Sequence, residues 1–397
     1  MPNRHALLSP SSSSRWLACT PSARLEASEP ARETSYTREG TCAHSFCEIV
    51  LNTLLCNGFD YMPDDIKDIV GGADTLAKYS EECKANGWDF DAMADAVKVY
   101  TTQVYEDYLA IRAHDADALL IVEGEFNLNE YVPESFGSSD AVIIGGQSLH
   151  VYDFKYGKGI KVSATGNSQM RCYGLGSLLS KGELYDIKDV TMTIVQPRLG
   201  WTSSEVLTVK SLLAWASEWL KPRAAMAFAG EGLRAPGEHC RFCRIAYKCD
   251  ALRGYSTSLA MSTPSEMPND GLSMALKQVP TVKIWLEAVE SAAMERALAG
   301  EHIDGYKLVE GRSARVIRDK DAAIDRLSKD FAPDAYLKPA ELKTITELER
   351  TLTKKGFAAL LGDLVVKPQG KPTLVADDDP RPVYNQAKSD YSDIINN

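Results

Sequence analysis

The stretch GSSDAVIIGGQSLHVYDFKYGKG, Gly137 to Gly159, carries the reading of the fold. Val142, Ile143 and Ile144 form an apolar run, Gly145-Gly146 supplies a turn, and Leu149, Val151 and Tyr152 resume the apolar pattern. This predicts a β-hairpin with a short glycine-containing loop. Asp140 opens the first arm, and Asp153 and Lys155 stand near the end of the second. Side chains alternate along a strand, so Asp153 and Lys155 share a face. A carboxylate on a half-buried strand is costly unless a partner compensates it. Two carboxylates on adjacent strands can converge on a hard divalent cation, which takes oxygen ligands. Such an ion lowers the pKa of bound water, and a nearby lysine can neutralise charge on a reacting phosphoryl group. Taken alone, so short a string reads equally as a salt-bridged hairpin on a solvent face.

The rest of the composition frames that hairpin. With 397 residues, 44% of them hydrophobic and 25% charged, the chain is expected to form one large soluble domain and a smaller appendage. It has no apolar run long enough to span a bilayer, and its N-terminus lacks a secretory h-region. Nine unevenly spread cysteines suit a reducing cytoplasm better than a disulfide framework. A net charge of −11 argues against indiscriminate coating of nucleic acid, but charge is patterned. After Asp153 come Lys155, Lys158, Lys161 and Arg171 with no intervening acid.

Helical periodicity covers 41–57 and 90–114, and strands are expected at 118–128, in both arms of the hairpin and at 189–200. A helix is expected to begin near Thr165. Another is expected over 202–230, with Thr202 or Ser203 as its cap. That order implies a mixed central sheet flanked by helices. Residues 1–255 form the main domain on this reading, 256–271 a Ser/Thr/Pro-rich linker, and 272–397 a C-terminal α+β region with a mobile polar tail.

Three further groups carry chemistry. His44 and Glu48, four apart on a helix, share a face, and their plain reading is a histidine hydrogen-bonded to a glutamate. Gln169 and Tyr173 share a helical face directly after the basic loop, where they could meet a phosphate or a base. HCRFCRIAYKCD places Cys240, Cys243 and Cys249 as C-x2-C-x5-C, too dense for spectator thiols. Three thiolates leave a tetrahedral metal or a cluster one ligand short, and Cys19 sits in a comparably polar, loop-like setting. Structural Zn2+ and an iron–sulfur cluster both fit four thiolates. Cys42, Cys47, Cys56, Cys83 and Cys172 lie in helical patterns and are expected to be small core residues.

Taken in order, G-x-x-x-H on a helix, SSD on a strand, YDFK, and Q-x-x-x-Y resemble the RecB-like branch of the PD-(D/E)XK nucleases. An upstream cysteine paired with C-x2-C-x5-C is similar to the iron–sulfur staple of the CRISPR-associated exonucleases and the AddB nucleases. The opening LSPSSSSRWLACTPSARL and the ending GDLVVKPQGKPTLVADDDPRP resemble the phage and prophage DUF2800 proteins. The resemblance implies a restriction-endonuclease-like α/β core. It implies His44, Asp140, Asp153 and the Phe154 carbonyl as ligands of Mg2+ or Mn2+, and Lys155 as the catalytic lysine, with Gln169 and Tyr173 supporting. It implies a 4Fe-4S cluster on Cys19, Cys240, Cys243 and Cys249. Asp153 stands where many relatives in the superfamily have glutamate, and the RecB-like branch commonly has aspartate. Glu123 and Glu125, on the preceding strand, are both candidates for a supporting carboxylate. The activity implied is a metal-dependent deoxyribonuclease, an exonuclease acting on single- or double-stranded DNA ends in phage replication or recombination. It would work in the host cytoplasm, beside a phage single-strand-binding or polymerase protein. The alternative is a catalytically silent DNA-binding or recruitment protein that keeps the fold.

Overall fold

Residues 136–154 fold as the expected hairpin and lie at the heart of a five-stranded sheet. In this computed structural model the described residues are 6–30, 34–70, 73–182, 185–311, 315–338, 341–366, 372–376 and 379–384. Strands β1 (Leu119–Asn127), β2 (Phe136–Gly145), β3 (Ser148–Phe154), β4 (Asp189–Gln196) and β5 (Trp201–Thr208) lie side by side in chain order. All neighbours pair antiparallel except β3 and β4, which run parallel. A parallel pair needs a crossover, and a helix at Ser168–Lys181 provides it. The hairpin turn falls one residue later than its sequence suggests. Gly145 pairs with Ser148, and the turn residues Gly146 and Gln147 both have positive φ, as a two-residue type I′ turn demands.

The helices preceding the sheet are α1 (Ser13–Ala18), α2 (Ser22–Glu26), α3 (Ser35–Asn57), α4 (Ile66–Val70), α5 (Ala73–Asn86) and α6 (Phe90–Arg112). The crossover is α7, and α8 (Val209–Trp215), α9 (Lys221–Ala229) and α10 (Asp250–Ala260) follow the sheet. Alternation along β2 and β3 divides the core. Ala141, Ile143, Tyr152 and Phe154 pack with Phe46, Val50 and Tyr100 of α3 and α6. Val142, Ile144, Leu149 and Val151 pack with Met170, Cys172 and Leu175 of α7. Gly176 is required at that second contact, because a Cβ there would lie 2.1 Å from the Phe126 ring.

Several sequence expectations shift. Residues 202–208 are strand β5, and the helix begins only at Val209, capped by the Thr208 side chain accepting from Ser211 N–H. The polar TSSE run mimics a helix cap, yet β5 lies at the end of the sheet, where one side of a strand meets solvent and hydroxyl side chains are tolerated. Helix α7 starts at Ser168, because Asn167 accepts from the backbone N–H of Gln169 and Met170. Cys56 is exposed, unlike buried Cys42, Cys47, Cys83 and Cys172, because it points away from the α3 stripe ending at Leu54.

Two compact units, Met1–Trp285 and Leu286–Asn397, divide the chain, and their boundary falls inside the helix Asn269–Leu298. Part of the segment expected as a linker over 256–271 belongs to α10, where Ser256 is buried. The second unit buries Ala323, Leu327, Leu348, Phe357 and Leu361 between helices Lys320–Leu327 and Ile345–Leu361. It also pairs the strand Tyr306–Glu310 antiparallel with Pro372–Ala376. The polar tail beyond 384 lies outside the described residues.

Candidate metal centre and a cysteine cavity

Strands β2 and β3 part beyond the Ala141–Tyr152 pair, and β3 continues alone against β4. Asp140 enters the opening. Its Oδ2 accepts from Phe154 N–H at 2.7 Å, standing in for the lost ladder partner. Its Oδ1 lies 3.3 Å from His44 Nδ1 on α3. The histidine's partner is therefore Asp140, not Glu48 as its plain reading suggests, and its ring meets Phe154 edge-on at 5.2 Å.

Across the opening, Asp153 is only 2% exposed. Its Oδ1 accepts from Lys155 Nζ at 3.1 Å and from Gln169 Nε2 at 3.3 Å. Lys155 also donates to Gln169 Oε1 at 3.3 Å, and Gln169 Nε2 lies 2.9 Å from Tyr173 Oη. Asp153 Oδ2 sits 3.0 Å from Lys155 Nζ but off any hydrogen-bonding direction, leaving a buried carboxylate oxygen without an aligned donor.

Of the two glutamates on β1, the structure selects Glu123. The β1–β2 ladder skips the rung between Glu123 and Asp140, and Glu123 has φ +49°. This flip turns the strand over: Leu120 and Val122 pack on the α3 side, whereas Phe126 packs on the α7 side. It also brings the Glu123 carboxylate within 4.8 Å of ligand atoms on His44 and Asp140, while Glu125 remains exposed. Ser138 Oγ donates to Glu123 Oε2 at 2.9 Å. Nothing in the sequence marks this choice, because a positive φ at glutamate is imposed by tertiary context.

The charges are unevenly tuned. Burial raises the Asp153 carboxyl; Lys155 opposes the rise and Asp140 adds to it, and the net shift is upward. Burial would raise Asp140 too, but His44, the Phe154 N–H and Lys155 outweigh it and hold that carboxyl below its usual value. Burial would lower His44, yet Asp140 beside it turns the shift upward. Glu123 is raised by burial and by Asp140. Crowded carboxylates of this kind are a reservoir of repulsion that a cation relieves. Oxygen donors from Glu123 and Asp140 with one imidazole nitrogen suit Mg2+ or Mn2+, the nitrogen favouring Mn2+.

Elsewhere in the same unit, Cys19, Cys240, Cys243 and Cys249 line a single cavity together with Arg15, His239 and Leu252. Burial raises the Cys240 and Cys243 thiols, with smaller contributions from Cys19 and Cys249 on Cys240 and from Glu26 on Cys243. Among the described residues, no three of these thiols come within 4.8 Å of one another. The segments bearing them are also tied by ordinary bonds. Arg223 donates to Leu17 O at 2.6 Å, Arg15 to Phe242 O at 3.2 Å, and Arg15 pairs with buried Glu26 at 2.6 Å.

Fold and site together define a class: a mixed α/β protein with a carboxylate, imidazole and lysine cluster at the opening of its central sheet. The chain belongs to the DUF2800 family, described as protein of unknown function, whose match spans residues 5–382. No helix among the described residues is long and apolar enough to cross a membrane.

Proposed function

We propose that the protein is a Mg2+- or Mn2+-dependent DNA nuclease with a PD-(D/E)XK-type core and a 4Fe-4S staple. The observation that carries this reading is the meeting of His44, Glu123 and Asp140 where β2 and β3 part, with the buried Asp153–Lys155 pair on the facing strand. A divalent ion held by His44, Glu123, Asp140 and Asp153 would supply an acidified water and neutralise phosphoryl charge. Lys155, held by Asp153 and Gln169, presents its ammonium to the reacting phosphate, and Tyr173 steadies Gln169. Phe154 contributes through its backbone: its N–H holds Asp140 in place, and its carbonyl would be the further ligand the resemblance implies.

The cysteine cavity is where the staple would sit: Cys19, Cys240, Cys243 and Cys249 line it together, and four thiolates would hold a 4Fe-4S cluster or, alternatively, structural Zn2+. A time course on end-labelled single- and double-stranded DNA with Mg2+, Mn2+ or EDTA tests the activity. Cleavage with either ion and none in EDTA is expected. DNA binding with no cleavage under any condition would replace this reading with the recruitment one.

A further inference from the structure

We propose that the free side of the β5 edge is a stacking track for single-stranded DNA, which leads into the carboxylate cleft. This rests on the nuclease reading above and names its substrate.

The chain from Val162 to Gly166 runs alongside β5 and is pinned to it three times. Trp201 Nε1 donates to Val162 O, Ala164 N–H to Ser203 Oγ and Gly166 N–H to Glu205, each at 3.0 Å. Along this edge three indoles each carry a cation. Lys161 Nζ lies 4.6 Å from the Trp201 ring, Arg171 5.6 Å from Trp215, and Arg223 4.2 Å from Trp219. Significant cation–π contacts occur roughly once per 70–80 residues, so three along one edge is a concentration.

Trp215 caps a π-helical turn, Ala216–Leu220, and Trp219 lies within it. Its wider turn brings side chains four apart nearly into line, and such turns gather at functional sites. The two indoles wall an open cleft of about 550 Å³ whose floor is Arg171 and Gly166. Glu205 grips Arg171 in a fork, at 2.9 Å through Nε and 2.7 Å through Nη2, which leaves Nη1 for a ligand. Trp219 is 50% exposed, unusual for the largest apolar side chain.

Aromatic faces spaced along a cationic edge bind unpaired bases and backbone together, which duplex DNA cannot use because its bases are already stacked. Glu218 on the cleft wall can accept from a base amino group. Helix α7 joins the two regions: Arg171 lies on this edge, and Gln169 and Tyr173 lie on the cleft, about one helix width of 10 Å away.

The test uses the full chain in EDTA, so that binding is read without cleavage. Affinity for a labelled dT20 strand and for a blunt duplex of equal length is measured by fluorescence anisotropy, with tryptophan quenching as a second signal. Tight, quenching binding of dT20 is expected. Trp219→Ala should weaken it about tenfold and Trp219→Phe only slightly, with duplex affinity unchanged. Wild-type binding of dT20 that Trp219→Ala and Trp215→Ala both leave intact would overturn the track while leaving the nuclease reading standing. Preference for duplex over dT20 would overturn it too. Binding of neither DNA would overturn the track, with the cleavage time course deciding the nuclease reading separately.

Discussion

The carboxylate cleft and the cysteine cavity, both proposed above to hold metal, are built on opposite principles. The cleft draws on adjacent strands and one facing helix, and its parts resist one another: Glu123 takes a strained backbone, Asp140 and Asp153 crowd, and one Asp153 oxygen has no aligned donor. The cavity gathers thiols from two distant loops among segments already tied by Arg15, Arg223 and Glu26. Burial keeps Cys240 and Cys243 toward the neutral thiol. On the proposed reading the cleft would trade stability for reactivity, whereas the cavity would convert metal binding into stability by closing a long loop.

That contrast can be broken most sharply at Asp153. Asp153→Asn keeps the shape, so cleavage should fall by at least about a thousandfold, the loss of several kcal/mol of transition-state stabilisation. The melting temperature in EDTA should hold or rise, because repulsion with Asp140 is gone. Wild-type turnover in this variant would remove Asp153 from the chemistry.

The converse is expected at the cysteines. Anaerobically purified protein should be brown, and Cys19→Ser and Cys243→Ser should each bleach it and lower the melting temperature by about 5–10 °C. Stoichiometric zinc without iron would exclude the cluster. Unchanged metal content and stability in Cys19→Ser would separate that residue from the other three.

Glu123→Gly tests whether strain is confined to the cleft. Glycine accepts φ +49° freely, so stability should rise by about 0.5–1 kcal/mol in urea titrations even as cleavage drops tenfold or more. A loss of stability would show that the flip stores no strain.

The smallest effect is expected at the tie between α7 and β5. Burial would raise Glu205, but hydrogen bonds from Arg171 and Gly166 win and hold its carboxyl below the ordinary range. A depressed folded pKa means that this stabilisation is present above the unfolded pKa, near 4.3, and is lost as pH falls through the folded value. Acid melts of Glu205→Gln should therefore show a shallower decline below pH 4.5 than the wild type. Superimposable curves would show that the pair is stability-neutral.

Much of the molecule is legible in the residue order, for local reasons. Alternation in β2 and β3 sets the hairpin and places Asp153 and Lys155 on one face; the stripe Ala43–Phe46–Val50 sets α3; dense spacing singles out Cys240, Cys243 and Cys249. These signals lie within a few residues and follow from backbone periodicity. Where local and tertiary preferences compete, the sequence misleads. TSSE resembles a cap but pairs with β4, because completing the sheet outweighs a weak propensity.

Tertiary structure alone decided the rest. The choice of Glu123 over Glu125 depends on a skipped rung and a left-handed φ that surrounding packing enforces. The partner of His44 is a carboxylate on a strand nearly a hundred residues away, not the glutamate one helical turn along. Trp201, Trp215 and Trp219 share an edge only because β5 and the π-turn bring them there. The physical reason is the same in each case. Period and spacing say which way a side chain points from its own element, whereas what it meets is set by how separate elements pack.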